Sequence, residues 1–227
     1  MKISLRTKRL GGLILLFVMP TGAQVFDLSA DFSLTKNPNT VWEYGFSATN
    51  SLAVDQFRLD QKSVMKGPIG FWHPIQGEKP GPGYYPYIAY NSTTHTQVGS
   101  KGWAISAGEI AMEGSNAGQY SLVRFVAPRP GNYSVNAKFA GIHFGLSTTD
   151  VHVLKNGSSV FDADIDGYGG DTAFHKIQGP NPTAEYSARM HLKPNDTITF
   201  AVGYGKNKTN YSDTTGLSVR IVLLNGD

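Results

Sequence analysis

Hydrophobic and polar residues alternate along most of the chain, most clearly over residues 148–171. Successive side chains of a strand point to opposite sides, so Val151 and Val153 face one way and Asp150 and His152 the other. Asn156-Gly157 is a pair typical of a two-residue hairpin turn. After it, Phe161, Ala163 and Ile165 alternate with Asp162, Asp164 and Asp166. The segment therefore predicts a β-hairpin with one apolar face and one acidic face.

The same period of two recurs in residues 120–126, 133–139, 197–202 and 217–224, with turn residues between them. No window of a dozen residues carries a helical period, and 26 glycines and 12 prolines oppose helices. Short strands with regular turns predict an all-β fold, an antiparallel β-sandwich of jelly-roll type. We expect residues 24–227 to form a single domain, with a loop-rich insertion around 67–102. The alternative is a small N-terminal lobe ending near residue 105.

Residues 1–23 have the pattern of a secretory signal peptide. Four basic residues precede an apolar run from Leu10 to Met19, and the small residues 21–23 offer a cleavage site before Gln24. The apolar run is shorter than the ~20 residues that a membrane-spanning helix needs. We therefore expect cleavage and no stable membrane insertion afterwards. An uncleaved membrane anchor is the alternative.

Charge and cysteine content exclude several classes of function. The whole chain carries 20 Lys+Arg and 17 Asp+Glu, but four of the basic residues lie before residue 24. The remaining chain has 16 basic and 17 acidic residues, a net charge of −1. It contains no basic run to neutralise a row of phosphates, so we expect no nucleic-acid partner. The absence of cysteine excludes disulfides, thiolate metal sites and a cysteine nucleophile.

Four segments together resemble a known kind of domain: DFSLTKNPNTVWEYGF (31–46), GEIAMEGSNAGQYSLVRFVAPRPGNYSV (108–135), TTDVHVLKNGSSVFDADI (148–165) and FAVGYGKNKTNYSDTTGLSVRI (200–221). Their order resembles a secreted bacterial β-sandwich domain found alone, beside sorting signals or attached to carbohydrate-active enzymes. This domain is similar in build to jelly-roll carbohydrate-binding modules. The resemblance implies binding rather than catalysis, with a polysaccharide or glycan as the partner.

Two features qualify what the resemblance implies. The chain has Met112-Glu113-Gly114 where relatives would have His-Pro-Gly, so no role of that histidine carries over to this chain. No hydrophobic anchor or sorting segment precedes Asp227. We therefore expect a freely secreted or periplasmic protein, and the resemblance implies a bacterial source.

Aspartates make calcium the candidate cofactor. Asp162, Asp164 and Asp166 share one face of a strand at roughly 7 Å intervals, so they repel one another unless water, a cation or a base intervenes. Calcium takes six to eight oxygen ligands and suits such carboxylates. Asp213, in the polar loop 207–215, is a further candidate ligand. The alternatives are a solvated acidic strand face for the first three and turn chemistry for Asp213.

Aromatic residues and one histidine are the candidate ligand-binding groups. Trp72, Tyr84, Tyr85 and Tyr87 lie in the loop-rich stretch, where exposed rings beside polar groups would suit a sugar. The alternative is that these rings cover the edge of a sheet. His152 shares its strand face with Asp150, and that carboxylate can orient the imidazole. The alternative is a hydrogen-bonded structural histidine.

These observations favour a secreted, non-catalytic, lectin-like protein that binds carbohydrate, with calcium as a candidate stabiliser. One alternative is a polysaccharide hydrolase or lyase that uses Asp150, His152 or Glu109. A pair formed by Glu109 and Glu113 would need its carboxyl groups within the ~5–9.5 Å that glycosidases use. The other alternative is a structural or adhesive extracellular matrix protein.

Overall fold

The computed structural model describes residues 23–75, 85–176 and 179–224. The predicted signal peptide, apart from residue 23, and the predicted sugar-binding residue Tyr84 lie outside these ranges. Within them the chain forms sixteen β-strands and one 3-10 turn, Val54–Gln56. The strands are β1 (Gln24–Asp27), β2 (Trp42–Ser47), β3 (Phe57–Leu59), β4 (Lys62–Lys66), β5 (Ile69–His73), β6 (Tyr87–Asn91), β7 (Gln97–Val98), β8 (Ala104–Ile105), β9 (Ile110–Glu113), β10 (Ser121–Val126), β11 (Gly131–Gly141), β12 (Thr148–Lys155), β13 (Ser158–Asp166), β14 (Thr183–Leu192), β15 (Thr197–Val202) and β16 (Thr215–Leu224).

Two antiparallel sheets form a β-sandwich, which confirms the predicted fold class. The larger sheet has the order β14-β11-β16-β9-β6-β5-β4, with β1 also paired to β16. The smaller sheet has the order β13-β12-β15-β10-β2-β3. From β9 to β12 successive strands alternate between the two sheets, which gives the sandwich its jelly-roll-like character.

The core lies between the sheets and is made by the inward positions of each strand. Tyr133, Val135, Ala137 and Phe139 of β11 are all buried in it, as their period of two predicts. Facing residues come from β10, β12 and β15 of the smaller sheet. Burying each large apolar side chain stabilises the fold by about 1.5–3 kcal/mol, so this alternation decides which face of every strand turns inward.

Two further apolar clusters lie on the outer faces of the sheets. On the larger sheet, Tyr87, Ala89 and Ala111 pack beneath the segment that carries Trp103 and Ile105. On the smaller sheet, Leu122, Leu154 and Ala201 pack beneath Leu52 and Phe57. The part of the larger sheet built from β11, β14 and β16 instead turns polar side chains outward, among them Asn136, Ser187 and Arg220.

The expected loop-rich insertion at 67–102 contains two strands of the larger sheet, β5 and β6. The prediction missed them because both of their faces are covered, so hydrophobic and polar residues do not alternate. Ile69 and Ala89 pack into the outer cluster, whereas Trp72 and Ile88 pack into the core between the sheets. The stretch that links these strands includes residues 76–84, outside the described ranges.

The predicted hairpin is present as β12 and β13. Lys155 pairs with Ser158 across a two-residue turn, and both turn residues, Asn156 and Gly157, have positive φ angles of 50° and 80°. His152 lies opposite Asp162, so the acidic face forms as the alternation predicts. In the described part of the chain, no helix is long and apolar enough to cross a membrane.

Candidate functional site

Several strands end together at one end of the sandwich, and their connections converge there. Strand pairing brings Glu113, Gly141 and Thr215 side by side in the larger sheet, and Ser121 beside Val202 in the smaller sheet. The connections β9–β10 (114–120), β11–β12 (142–147) and β15–β16 (203–214) leave from these positions. We call these three connections the loop end.

Tyr211 is the most exposed aromatic residue at the loop end. Its side chain belongs to the connection 203–214, here called the Tyr211 loop, and the residue is 83% exposed. Two non-glycine residues near it, Lys208 and Ser212, have positive φ angles of 58° and 72°. Such backbone conformations are costly for residues with a Cβ atom and persist only where surrounding contacts hold them.

Carboxylate and amide side chains hold the Tyr211 loop at its start and middle. The backbone N–H of Gly205 donates to Oδ1 of Asp150 at 2.7 Å. The backbone N–H of Asn210 donates to Oδ1 of Asn116 at 2.9 Å, and the Asn210 amide donates to the Gly114 carbonyl at 3.0 Å. Asn210 is buried, so these bonds fix the loop against the neighbouring connection 114–120.

The C-terminal part of the Tyr211 loop is held in the same way. The Ser147 hydroxyl donates to the Ser212 carbonyl at 3.0 Å, and the Thr148 N–H donates to Oδ1 of Asp213 at 2.8 Å. Leu146, 54% exposed, lies in the neighbouring connection 142–147, between Gly145 and Ser147, which both adjoin Ser212. The Tyr211 loop thus presents an exposed ring on a backbone held by hydrogen bonds.

Glycines let the acidic face and the loop come together. A side chain at Gly203 would collide with the Asp150 carboxylate, and one at Gly205 would collide with the Thr148 carbonyl. Gly205 also has a φ of 65°, in the left-handed region that glycine favours. The sequence Gly203-Tyr204-Gly205 therefore brings the loop close enough for Asp150 to accept its backbone N–H.

The predicted ligand-binding residues Asp150 and His152 lie together on the outer face of the smaller sheet. His152 Nε2 is 2.9 Å from Oδ2 of Asp150, and its Nδ1 is 2.5 Å from Oδ1 of Asp162. The Tyr120 hydroxyl also donates to Asp150, at 2.8 Å. Burial opposes the imidazolium, but the hydrogen bonds to the two carboxylates outweigh it and raise the pKa of His152. Both ring nitrogens are engaged, so His152 acts as a charged bridge between two aspartates.

Basic partners meet two of the four aspartates that the sequence predicted as calcium ligands. Asp162 contacts His152, and Asp164 accepts a hydrogen bond from Lys206. The Asp166 backbone pairs with Asn181, and Asp213 holds the N–H of Thr148. Over the described residues no group of three or more His, Asp or Glu side chains is arranged to hold a metal ion. Water, a cation or a base could relieve the repulsion between the aspartates of the acidic face. The structure shows basic partners, His152 and Lys206, and calcium binding stays a prediction.

Two buried carboxyl groups lie beneath the loop end. Glu113 Oε2 accepts hydrogen bonds from Tyr87 Oη at 2.7 Å and from Thr214 Oγ1 at 2.8 Å. Burial raises the pKa of Glu113 to about 8. Burial also raises the pKa of Asp213 to about 7, against the hydrogen bonds from Thr148. Glu113 therefore favours the neutral form at neutral pH, and both carboxyl groups adjoin residues that anchor the Tyr211 loop.

Two of the four rings predicted to form a sugar platform, Trp72 and Tyr87, are buried. Trp72 is buried in the core, with Nε1 donating to the Ser33 carbonyl at 2.7 Å. Tyr87 is buried against Glu113, and Tyr85 packs into the outer cluster of the larger sheet. The prediction placed Trp72 and Tyr87 in a surface loop, whereas they belong to β5 and β6, whose two faces are both covered. Tyr84 lies outside the described residues.

Tyr211 and Leu146 were not predicted as site residues. The polar segment 207–215 predicts Asp213 as a candidate ligand and says nothing specific of Tyr211. The sequence does contain one signal for this site. Tyr211 is an aromatic residue among Asn, Ser, Thr and Asp in a connection between strands. Its exposure could not be read from the sequence because it depends on how three connections converge.

Comparisons with known proteins give weak structural matches. No protein-family model and no curated protein sequence matches the chain. A family 35 carbohydrate-binding module from an environmental isolate aligns with TM-score 0.33 and 18% identity, over 61% of this chain and 93% of the module. A second family 35 module, from Clostridium thermocellum, aligns with TM-score 0.29 and 12% identity, over 71% and 98%.

A β-glucosidase from Kluyveromyces marxianus aligns with TM-score 0.29 and 15% identity, over 53% of this chain. The chain spans only 12% of the length of that enzyme. At these TM-scores the matches bear on neither site nor function, and the fold assignment rests on the two sheets themselves. The resemblance of the sequence to secreted bacterial domains stays a prediction.

Proposed function

We propose that the protein is a secreted carbohydrate-binding protein that holds a glycan at its loop end without cleaving it. The observation that carries the proposal is the exposed ring of Tyr211 on a loop fixed by hydrogen bonds at its start, middle and end. A ring that is 83% exposed gains almost nothing from burial within the chain, so its apolar face is available to a ligand.

A glycan suits this surface better than a purely apolar ligand. Sugars present apolar C–H faces and many hydroxyl groups, so they need a flat ring beside hydrogen-bonding groups. Tyr211 and Leu146 supply the apolar area, and the exposed Asn207 and Lys208 supply polar groups close by. The backbone of the loop is ordered before binding, which lowers the entropy cost of holding a ligand.

The contacts of the candidate catalytic groups favour binding over hydrolysis. His152 has a carboxylate on each ring nitrogen, so neither nitrogen is free to take a proton from a substrate. Glu109 and Glu113 lie four residues apart along one extended segment, roughly 13 Å between Cα atoms. Their carboxyl groups have separate partners, the N–H of Ser106 and the hydroxyls of Tyr87 and Thr214.

A glycan array probed with the secreted protein tests the proposal, and product analysis on each bound glycan tests the absence of cleavage. We expect binding to a defined set of glycans, with no new reducing ends or unsaturated sugars after long incubation. Release of products that His152→Ala abolishes would favour the hydrolase or lyase alternative. No binding on a broad array would favour a structural or adhesive matrix role. Running the array in calcium and in EDTA tests the calcium prediction separately.

A further inference from the structure

A groove lined by both polar and apolar groups crosses the outer face of the larger sheet, outside the loop end. Its volume is about 650 Å³, within the range of ordinary ligand sites. Its floor includes Ser218 and Arg220 of β16 and Asn136 of β11. One wall contains Glu185 and Ser187 of β14, and the other is formed by residues 27–29 and 106–109. None of the lining residues belongs to the Tyr211 loop.

Hydrogen bonds across neighbouring strands orient the side chains of this sheet groove. The Ser187 hydroxyl donates to Oδ1 of Asn136 at 2.8 Å, and these two residues lie opposite each other in the β11–β14 register. Lys138 Nζ lies 3.5 Å from the carboxylate of its opposite residue, Glu185. Cross-strand pairs of this kind hold polar groups in place on a sheet surface. The groove therefore offers an ordered set of donors and acceptors.

Glu109 lies in the far wall of the sheet groove. The Ser106 N–H donates to its Oε2 at 2.6 Å, and its carboxyl group occupies the space that a side chain at Gly216 would fill. The Ser29 hydroxyl donates to the Gly108 carbonyl and ties β1 to the same wall. The wall is thus built by contacts between separate parts of the chain, and the carboxyl group of Glu109 is fixed within it.

The composition of the groove selects among possible ligands. Asp27, Glu109 and Glu185 bring negative charge, and Lys138 and Arg220 bring positive charge, so the two signs nearly balance. A phosphate backbone would need a row of cations, which these residues do not form. Tyr186, Leu217 and Val219 also line the groove, but none of them is among the strongly exposed hydrophobic residues of the described chain, so the groove offers a protein partner no protruding apolar anchor.

We propose that the sheet groove binds a segment of an uncharged polysaccharide, as a second glycan site separate from Tyr211. Sugar hydroxyls both donate and accept hydrogen bonds, which matches a surface where amide, hydroxyl, carboxyl and guanidinium groups are interspersed. The polar side chains of the groove supply hydrogen bonds to the sugar hydroxyls, and the apolar groups between them contact the C–H faces of the sugar rings. This proposal does not depend on glycan binding by the Tyr211 loop.

Backbone amide chemical shifts of the ¹⁵N-labelled protein test the proposal. The probes are neutral cello-, xylo-, manno-, malto- and laminari-oligosaccharides, titrated into the wild type and Tyr211→Ala. We expect at least one series to shift the signals of Asn136, Ser218 and Arg220 in both proteins. Shifts confined to residues 203–214, or no shifts with any of the five series, would overturn the second site.

A matched pair of arginine variants tests the contact itself. Arg220 lines the groove, whereas Arg189 lies on the same outer face, on β14, and does not line it. Losing one hydrogen bond from a charged donor should weaken binding about tenfold in Arg220→Met. Arg189→Met should bind as the wild type does, with circular dichroism confirming that both variants are folded. Equal loss in both, or a preference for galacturonate oligosaccharides, would contradict an uncharged ligand in this groove.

Discussion

Asp150 and Gly205 connect the acidic face of the hairpin to the loop that carries Tyr211, through a hydrogen bond of 2.7 Å from the Gly205 N–H to the Asp150 carboxylate. The same carboxylate also accepts from Tyr120 and contacts His152. The acidic face therefore has a role that its sequence pattern did not indicate. It fixes the start of the Tyr211 loop.

Asp150→Ala should loosen the Tyr211 loop. Its removal leaves Tyr120, His152 and the Gly205 N–H without their shared acceptor, so the free energy of unfolding should fall by about 2 kcal/mol. Urea unfolding monitored by circular dichroism measures this loss, and amide hydrogen exchange should show faster exchange at residues 204–210. Asp55→Ala, at an exposed position in the 3-10 turn, is the matched control. Comparable exchange of the loop in both variants would contradict the anchoring role of Asp150.

His152 should make stability depend on pH within a defined window. Its pKa is raised in the folded state, so its contribution is complete below its unfolded value of about 6.5 and is lost as pH rises through the folded pKa. The pKa of Asp162 is lowered by its hydrogen bond with His152, so that contribution disappears below about pH 4. The stability difference between wild type and His152→Gln should therefore be largest between about pH 4 and 6.5. A difference independent of pH would show that His152 is not a charged bridge.

Glu113 should also make stability fall as pH rises, because burial favours its protonated form. Burial raises its pKa to about 8, so folding favours the protonated carboxyl group and stability falls as pH rises from the unfolded value toward 8. Glu113→Gln can still accept hydrogen bonds from Tyr87 and Thr214 but cannot ionise. Its thermal midpoint should therefore decline less than that of the wild type between pH 5 and 8, as measured by calorimetry. Parallel pH profiles of the two proteins would show that Glu113 does not control this slope.

Calcium on the acidic strand has a direct competitor in the structure, because Lys206 already contacts Asp164. If the sequence prediction holds, calcium will raise the thermal midpoint, Asp164→Asn will reduce that rise, and Lys206→Met will increase it by freeing the carboxylate. Differential scanning fluorimetry in calcium and in EDTA measures all three proteins. Identical midpoints in both conditions would remove calcium from this face.

The alternation of hydrophobic and polar residues was sufficient to predict β10, β11, β12, β13, β15 and β16, but not β14, whose two faces also differ. Tyr133, Val135, Ala137 and Phe139 all turn into the core, and the Asn156-Gly157 turn closes the predicted hairpin. The hairpin register shifts by one residue between Val153 and Leu154, and beyond this shift His152 lies opposite Asp162. Strands β5 and β6 were missed because an outer cluster covers their second face. Such coverage depends on distant segments and leaves no local alternation.

The candidate site was predicted less well than the fold. Asp150 and His152 do lie together, since residues two apart on a strand share a face. Their partners, Gly205 and Tyr120, come from other strands and connections, and no spacing within the hairpin indicates them. Likewise, Trp72 and Tyr211 are both aromatic residues in polar or glycine-rich surroundings, yet one is buried and the other exposed.

The affinity of Tyr211 variants for a glycan identified on the array tests the central proposal most directly. Tyr211→Phe keeps the ring and should bind nearly as the wild type does, whereas Tyr211→Ala removes it. Loss of a central aromatic contact costs about 2 kcal/mol or more, so isothermal titration should show at least roughly thirtyfold weaker binding at the loop end for Tyr211→Ala. Equal affinity of the wild type, Tyr211→Phe and Tyr211→Ala would contradict glycan recognition by the Tyr211 loop.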